Sequence, residues 1–308
     1  MKCGKIILAG GNGYLGRVFA KYYQPLATEV VILSRKAHPH TGNVRTVVWD
    51  GRTESGWISE LEGADLVINL CGKNVNCRYT PENREAIRTS RKWPTEALGS
   101  AIAKCSAPPK CWINIVSATI YRHAEDRPQD EENGEYGSGF SVDVCRMWED
   151  TFFGCDTPGT RKVALRMSIV IGRSDGAFPR LMNLVRAGLG GMQGNGRQYM
   201  SWVHEHDAAR CTEFILENSS ISGVLNCTAP SPVSNSEFMR TIRETYGFPF
   251  GLPSPAWLLD LGAKLIGTET ELILKSRWVL PKRLLNAGFV FQFPEAGHAI
   301  RDIVSTRA

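Results

Sequence analysis

Short runs of apolar residues alternate along most of the chain with amphipathic stretches of helical period. The first run, Ile6–Ala9, leads through several glycines to Leu15, Val18, Phe19 and Tyr22, which recur at helical spacing. Five further strands are predicted from similar runs, at Glu29–Leu33, Val44–Trp49, Ala64–Leu70, Trp112–Val116 and Val163–Arg173. Continuous apolar runs are typical of strands covered on both faces, so the alternation predicts an α/β fold with a doubly wound parallel sheet.

The glycines after the first strand have the spacing of a phosphate-binding loop. Gly11, Gly13 and Gly16 satisfy G-x-G-x-x-G, and Gly10, Gly13 and Gly16 give a wider variant. Residues without Cβ let the backbone approach a pyrophosphate, which then faces the free N–H groups of the following helix. The predicted dinucleotide contacts in this Rossmann-type loop are Gly10, Gly11, Asn12, Gly13, Tyr14, Leu15 and Gly16.

The second strand ends in a hydroxyl and two cations, Ser34, Arg35 and Lys36. An acidic residue at this point is typical of NAD binding, whereas a basic residue accommodates the 2′-phosphate of NADP. The planar Arg35 guanidinium can stack on adenine and bind the phosphate, and Ser34 adds a hydroxyl. We therefore predict NADP(H) as the cofactor; the alternative is that these are solvated loop charges.

The next two strands end at the same predicted crevice. Asp50 is a candidate contact for the adenine amine, and Leu70, Cys71 and Gly72 are candidates for the adenine or ribose face. Equally, these positions have the composition of ordinary turns.

Thr80-Pro81 predicts the start of a helix, and Pro94 is expected to break or kink it. Several cations recur at helical spacing, namely Arg84, Arg88, Arg91 and Lys92. Such a face is usually solvated, although one arginine near Ser90 could reach a substrate cleft.

The fifth strand leads into Ser117-Ala118-Thr119-Ile120-Tyr121. Together with the glycine loop and Arg35, this strand end resembles the extended short-chain dehydrogenase/reductase superfamily. The resemblance implies that Ser117 hydrogen-bonds the reacting carbonyl or hydroxyl, and Ser117 is therefore a candidate for both catalysis and cofactor contact.

The proton-transfer pair of that superfamily, Tyr-x-x-x-Lys on a helix, is missing. The corresponding helix, Gly139–Glu149, places Ser141 and Cys145 at the two positions, and no tyrosine in the chain has a lysine four residues later. Tyr121 and Tyr136 are candidate substitute acids, with a role as wall residues as the alternative.

A narrower resemblance covers essentially the full chain. It rests on Arg166, Leu189-Gly190-Gly191, Gly194–Gln198 and Ser201–His204, and it points to an atypical, epimerase-like subfamily of the sugar-nucleotide epimerase family, sometimes labelled cell-division-inhibitor-like. Its members also lack the catalytic pair and carry a small C-terminal domain of unknown function. Arg166 is predicted to contact the cofactor.

The glycines and prolines suggest how the chain is divided. We predict an NADP-binding Rossmann domain over residues 1–222, in which about 172–200 form a mobile lid or a tight backbone wall on the substrate side, and a smaller, mostly helical domain of substrate type over 223–308. Ser234 with Glu237 forms a capping box, and Ser254-Pro255 predicts another helix start.

The composition is that of an ordinary globular protein and does not suggest a disordered, membrane or nucleic-acid-binding protein. Of the 308 residues 43% are hydrophobic and 22% charged, and the net charge of +5 comes without a basic tract. The nine cysteines form no CxxC, and the His204, His206 and Asp207 group lacks a further ligand at recognisable spacing, so no metal is predicted. No secretory or membrane segment is recognised, so we expect a cytoplasmic monomer or homodimer with a small-molecule substrate and no nucleic-acid or membrane partner.

Two functional hypotheses remain. In the first, the protein is an NADP-dependent oxidoreductase or epimerase-like enzyme in which Ser117 orients the substrate. In the second, it is a non-catalytic NADP(H)-binding sensor or scaffold. The missing Tyr-Lys pair favours the second hypothesis, and Ser117 with a substrate-type domain favours the first.

Overall fold

A seven-stranded sheet forms the centre of the structure, a computed structural model that describes residues 3–260, 269 and 271–305. The strands are β1 (Cys3–Ala9), β2 (Ala27–Ser34), β3 (Val44–Val48), β4 (Leu66–Asn69), β5 (Cys111–Ser117), β6 (Arg161–Met167), β7 (Ile169–Ile171), β8 (Tyr199–Met200), β9 (Trp202–His204), β10 (Gly223–Cys227) and β11 (Val233–Ser234). The sheet has the order β10-β6-β5-β4-β1-β2-β3, and every neighbouring pair is parallel. The predicted doubly wound fold of Rossmann type is confirmed.

Helices cover both faces of this sheet. They are α1 (Tyr14–Tyr23), α2 (Pro81–Ala103), α3 (Phe140–Gly154), α4 (Phe178–Arg186), α5 (Glu205–Glu217), α6 (Asn235–Thr245), α7 (Glu271–Leu274), α8 (Lys282–Asn286) and α9 (Ala296–Ser305), and residues 256–260 are also helical. Alternate residues of β1 point to opposite faces, so Ile6 and Leu8 pack with α1 and α5 while Ile7 and Ala9 pack with α2 and α3.

Helix α2 continues through Pro94 rather than breaking there. Thr80 caps its first turn as predicted, accepting the Asn83 N–H at 3.3 Å. Pro94 cannot donate a helical hydrogen bond, but it is buried, and the next residue, Thr95, donates its hydroxyl to the Arg91 carbonyl at 2.7 Å. Leu98 then packs in the core, and this tertiary packing offsets the local cost of the proline.

The predicted strand Val163–Arg173 is divided into two. Strand β6 stays in the central sheet, whereas β7 pairs with β9 in a separate sheet of two strands. The chain turns at Ser168, whose N–H donates to the Cys227 carbonyl at 3.1 Å. This second sheet leads to a separate core cluster in which α4, α6 and α9 pack together.

The central sheet extends beyond the domain boundary predicted at residue 222. Its edge strand β10 pairs with β6, with Leu225 opposite Leu165. The chain also returns to the first domain after α8, where Phe289 and Phe291 pack in the same core as α1 and α5. Of the helices in the described ranges, none combines the length and the apolar character that crossing a membrane requires.

Candidate functional site

The turn between β1 and α1 has the backbone of a phosphate-binding loop. Gly10 has φ +76°, a conformation that favours glycine, and its N–H donates to the Leu33 carbonyl at 2.9 Å. A Cβ on Gly10 would lie 2.9 Å from the Sγ of Cys71, so this glycine lets the loop pack directly against the end of β4.

Gly16 lets the helix approach the loop. A Cβ there would lie 2.2 Å from the carbonyl oxygen of Gly11, which is far closer than any contact that packing allows. Gly13, in contrast, would meet just one neighbour, the Gly10 oxygen at 3.7 Å. The surface above Gly13 is therefore open to a ligand.

The first turn of α1 fits an anionic group. Gly13 is its N-cap, no side chain caps the helix, and the first turn contains no acidic residue. The exposed N–H groups and the positive end of the helix dipole point to this open surface. A dinucleotide pyrophosphate has the charge and shape that such a site binds.

Ser34 connects the loop to the end of β2. Its nearly buried hydroxyl accepts a hydrogen bond from the Asn12 amide and another from the N–H of Lys36, the latter at 3.3 Å. Arg35 follows with an exposed side chain. Burial raises the pKa of the Cys71 thiol, at the end of β4, to about 12, and the positive charge of Arg35 opposes this rise.

The ends of β3 and β4 differ in how firmly they are held. Asp50 is exposed, and its carboxylate accepts the N–H groups of Arg52 and Thr53 at 2.8 and 2.7 Å. A hydrogen bond from the Thr53 side chain, together with these two, lowers the pKa of Asp50. The backbone of Cys71 is held by the last residue of β4, because its N–H donates to Asn69 Oδ1 at 3.1 Å. The predicted residues Leu70, Cys71 and Gly72 thus line the same edge of the sheet as the glycine loop.

Ser117 lies at the end of β5, where the strand enters a short 3₁₀ turn. Its hydroxyl oxygen accepts the Thr119 N–H at 3.2 Å, and the side chain is partly exposed. This contact orients the hydroxyl and leaves its hydrogen available, among the described residues, for a substrate oxygen.

Arg166, predicted to contact the cofactor, and Tyr121, a candidate acid, belong to one buried hydrogen-bond network. The Arg166 guanidinium is 2% exposed and forms two hydrogen bonds with Glu149, both 2.7 Å. It also donates to the hydroxyl oxygens of Tyr121 and Tyr136, each at 2.8 Å. The Tyr121 hydroxyl in turn donates to Asn226 Oδ1 at 3.0 Å, and burial raises its pKa to about 12. A guanidinium engaged in this way is not directed at a cofactor, and a buried phenol of high pKa is a poor proton donor to a substrate.

Helix α3 carries the two positions that the superfamily fills with tyrosine and lysine. Ser141 lies between Tyr79 and Glu271, with hydroxyl and carboxylate contacts of 3.4 and 3.3 Å. Cys145 is buried, and burial raises the pKa of its thiol to about 11. Neither side chain is a general acid comparable to a lysine-activated tyrosine.

Three cations lie around this end of the sheet: Arg91 near the end of β4, and Lys275 and Arg277, which both contact Thr119 and which we call the basic cluster. Lys275 Nζ donates to the Thr119 carbonyl at 2.9 Å, and Arg277 Nε donates to Thr119 Oγ1 at 3.3 Å. Arg91 is the arginine near Ser90 that was expected to reach the cleft, and its guanidinium lies 3.4 Å from the position of a Cβ on Gly72. Sequence reasoning missed Lys275 and Arg277, which no motif or periodicity marks.

The glycine-rich stretch on the substrate side is a tight backbone wall, one of the two forms expected for it. Gly191 donates to the Leu252 carbonyl at 3.0 Å, and Gly194 donates to that of Ser254 at 2.9 Å. A Cβ on Gly191 would lie 2.6 Å from the Gly251 oxygen. The glycines therefore allow two backbone segments to pack side by side.

His204 and Asp207 hold the start of α5 and the C-terminal segment. His204 Nδ1 accepts the His206 N–H at 3.2 Å, so this ring caps the helix. Asp207, fully buried, accepts the N–H groups of Gln292 and Phe293 at 2.9 and 2.8 Å. In the part of the chain that the structure describes, no group of three or more His, Cys, Asp or Glu side chains is arranged to hold a metal ion.

Most of the predicted cofactor contacts lie together at the carboxyl edge of the sheet, whereas Arg166 and Tyr121 do not. The glycine loop, Ser34, Arg35 and Cys71 surround one crevice, and Ser117 lies on the same carboxyl edge, two strands from β1. Arg166 and Tyr121 point into the interior between β6 and α3.

Known proteins share this architecture over its full length. A crystal structure of the human epimerase family protein SDR39U1 (isoform2) with NADPH superimposes with a TM-score of 0.87 at 28% identity, covering 98% of this chain and 99% of that one. The epimerase family protein SDR39U1 of Bos taurus is 30% identical over 308 residues, which cover 98% of this chain and 100% of the relative. The epimerase family protein YfhF of Bacillus subtilis is also 30% identical, and the match covers 98% of each chain.

Family models agree with these similarities. A domain of unknown function (DUF1731) matches residues 254–303, and the predicted small C-terminal domain of unknown function is thereby confirmed. A model described as NAD dependent epimerase/dehydratase family matches residues 6–227, the stretch from β1 to the end of β10. The predicted epimerase-like resemblance is confirmed, and the chain belongs to the NAD dependent epimerase/dehydratase family.

Proposed function

We propose that this protein is an NADP(H)-binding, epimerase-like enzyme of oxidoreductase type that acts on a small molecule. The observation that carries the proposal is the arrangement of one sheet edge, where the phosphate loop and Ser34-Arg35 lie beside Ser117. The loop and Arg35 would bind the cofactor, and Ser117 would bind the reacting oxygen of the substrate.

Two features support NADP(H) over NAD(H). The end of β2 carries Arg35 and Lys36 and no carboxylate, so it suits a 2′-phosphate better than a ribose hydroxyl. The human relative of similar fold was crystallised with NADPH. The hydrogen bond from the Asn12 amide to the Ser34 hydroxyl would hold the phosphate loop beside the 2′-phosphate site.

The chemistry follows from this arrangement. A bound nicotinamide supplies or accepts a hydride. Ser117, with its hydrogen available, would donate to a carbonyl oxygen and orient it. Tyr121, whose hydroxyl is buried and bonded to Asn226, would have no part in proton transfer.

A second function, a non-catalytic NADP(H) sensor or scaffold, is favoured by a specific observation. Helix α3 presents Ser141 and the buried thiol of Cys145 where the superfamily has its proton-transfer pair. A protein of this kind would bind the nucleotide with the same loop but would show no hydride transfer.

Hydride transfer distinguishes the two functions. The nicotinamide absorbance should be followed with NADPH or NADP⁺ across aldehydes, ketones, oxo acids and sugar nucleotides. For a substrate that is turned over, Ser117→Ala should lower kcat/KM by about 100-fold, the usual loss for a positioned hydrogen-bond donor. Ser219→Ala, in an exposed turn, is the matched control and should behave as the wild type. Turnover unaffected by Ser117→Ala would contradict the role of Ser117, and NADPH binding without turnover across the panel would favour the sensor.

A further inference from the structure

The basic cluster lies next to Ser117, although its two members are distant from Ser117 in the chain. Thr119 connects the two, because its N–H donates to Ser117 Oγ at 3.2 Å while its carbonyl oxygen accepts Lys275 Nζ at 2.9 Å. With standard backbone dimensions, the Ser117 hydroxyl and the Lys275 ammonium are therefore no more than roughly 10 Å apart. A small molecule can contact both groups at once.

Arg91, near the end of β4, and Lys275, in the basic cluster, both donate to neutral backbone oxygens. Arg91 donates to the carbonyls of Ile87 and Lys73, at 2.9 and 3.3 Å, and Lys275 donates to that of Thr119. Among the described residues, neither cation takes part in an ion pair. A carbonyl oxygen satisfies a donor but carries no full negative charge to balance the cation.

The positive charges of Lys275 and Arg277 act on each other in a largely buried environment. Burial lowers the pKa of Arg277, which is 8% exposed, and burial together with the Arg277 charge lowers the pKa of Lys275. Burial also lowers the pKa of Arg91. Like charges held close together away from water are costly, and an anion bound among them would remove much of that cost.

The cofactor's own anions have sites elsewhere on the sheet edge. The pyrophosphate would lie at the first turn of α1, and the 2′-phosphate would lie at Arg35 after β2. Strand β5, which leads to Thr119, is separated from β1 by β4 and from β2 by β4 and β1. At nearly 5 Å per strand, the basic cluster is too far from either phosphate site to serve it.

We infer that Lys275 and Arg277 form a binding site for a carboxylate group of the substrate, adjacent to the oxygen that Ser117 binds. The inference rests on the proposed function, because the proposed function supplies the reacting oxygen. The substrate class that fits is a small oxo acid or hydroxy acid, in which the carboxylate and the reacting oxygen are separated by a few bonds.

A carboxylate fits this site better than a phosphate monoester. Glu271 contacts Ser141 at 3.3 Å at the same end of α3, and its charge acts on both Lys275 and Arg277. Together with Lys275 and Arg277 it leaves a net charge of about +1, which a singly charged, planar carboxylate balances and a phosphate dianion exceeds.

Matched ligands test the inference by calorimetry on the full chain saturated with NADP⁺, a state in which oxo acids cannot be reduced. Acetoacetate and 2-oxobutyrate should each bind at least about tenfold more tightly than their neutral amides, as expected for hydrogen bonds to a charged rather than a neutral group. Inorganic phosphate should bind more weakly than either oxo acid. Equal binding of acid and amide, tighter binding of phosphate, or no binding of either oxo acid would overturn the inference.

Variants identify the cations involved. Lys275→Gln should remove most of the preference for acid over amide, Lys275→Arg should retain most of it, and Lys21→Gln, an exposed charge on α1, should leave it unchanged. An unchanged preference in Lys275→Gln would contradict the inference. Titrating the same acids and amides without nucleotide, and NADP⁺ by itself, distinguishes failure of the carboxylate site from failure of the proposed function. If NADP⁺ fails to bind but the preference for acid over amide remains, the proposed function is wrong and the carboxylate site is supported. If NADP⁺ binds and the preference is missing, the carboxylate site is wrong.

Discussion

Arg166 and Glu149 form a bidentate ion pair in the protein interior, with Nε–Oε1 and Nη2–Oε2 distances of 2.7 Å each. The pair joins β6 to α3 directly below the sheet edge that carries Ser117. The side chains are 2% and 8% exposed, so each charge depends on the other for compensation.

Removing one partner of this pair should destabilise the fold. Glu149→Ala leaves a buried guanidinium without its carboxylate, and we expect a loss of about 3–5 kcal/mol in the free energy of unfolding, measured with urea. The control is Glu96→Ala, which breaks an exposed pair with Lys92 on α2 and should cost less than about 1 kcal/mol. Losses of similar size in the two variants would contradict the account of the buried pair.

Tyr121 should be separable from catalysis. Tyr121→Phe removes the hydrogen bonds to Arg166 and Asn226 and should cost about 1–3 kcal/mol of stability, because it leaves buried polar groups unsatisfied. Its NADPH affinity and its turnover of any substrate found should stay close to the wild type. A fall in kcat of about tenfold or more, with the fold intact by circular dichroism, would make Tyr121 a participant in the reaction after all.

Gly16 should be necessary for the phosphate loop. In Gly16→Ala the new Cβ would lie 2.2 Å from the Gly11 oxygen, and backbone must move to relieve the contact. We expect NADPH affinity, measured by calorimetry, to fall by at least about tenfold, since a displaced loop misaligns its hydrogen bonds to the pyrophosphate. Gly154→Ala, at the end of α3, meets nothing within 4 Å and should bind NADPH as the wild type does. Normal affinity in Gly16→Ala would show that the helix need not approach the loop this closely.

His204 should make stability depend on pH. Burial lowers the pKa of its imidazole to about 4 from 6.5, although Asp302, at 3.4 Å, opposes the shift. The unfolded chain therefore takes up a proton before the folded protein does, and stability falls as the pH drops from the unfolded pKa towards the folded one. Between about pH 7 and pH 5 this group alone should cost about 2 kcal/mol.

The variant His204→Asn checks this assignment, because asparagine can still cap α5 but does not titrate. Its urea-unfolding free energy should fall less than that of the wild type over the same pH range, and His38→Asn, on an exposed loop, should fall as the wild type does. Parallel pH profiles for His204→Asn and the wild type would assign the pH dependence to other groups.

Local patterns were sufficient to predict the sheet and the nucleotide crevice. The apolar runs marked β1 to β5, and the spacing of Gly11, Gly13 and Gly16 marked a turn in which Gly16 packs directly on Gly11, five residues before it. The position of Arg35 was predictable for the same reason, because it directly follows β2, whose end the pattern predicted.

Residues whose surroundings come from distant segments were not predictable in this way. Arg166 matched a family motif, but the direction of its side chain is set by Glu149, which lies on α3. Local periodicity along β6 does not indicate which residue of another element lies opposite. Lys275 reaches Thr119 from 156 positions away. At Pro94 and Ser168 the local pattern gave a wrong prediction. Tertiary packing continues helix α2 through Pro94, where a break or kink was expected, and the predicted strand is divided at Ser168.

If the edge from Gly10 to Arg35 binds a 2′-phosphorylated dinucleotide, the Kd values of NADPH and NADH, measured by calorimetry, must differ. The wild type should bind NADPH at least about tenfold more tightly than NADH, from the 1.5–3 kcal/mol of a hydrogen bond to a charged group. Arg35→Ala should lose most of that preference, while Arg240→Ala, an exposed arginine on α6, should keep it. Equal affinity for both nucleotides in the wild type, or a full preference for NADPH in Arg35→Ala, would contradict the account.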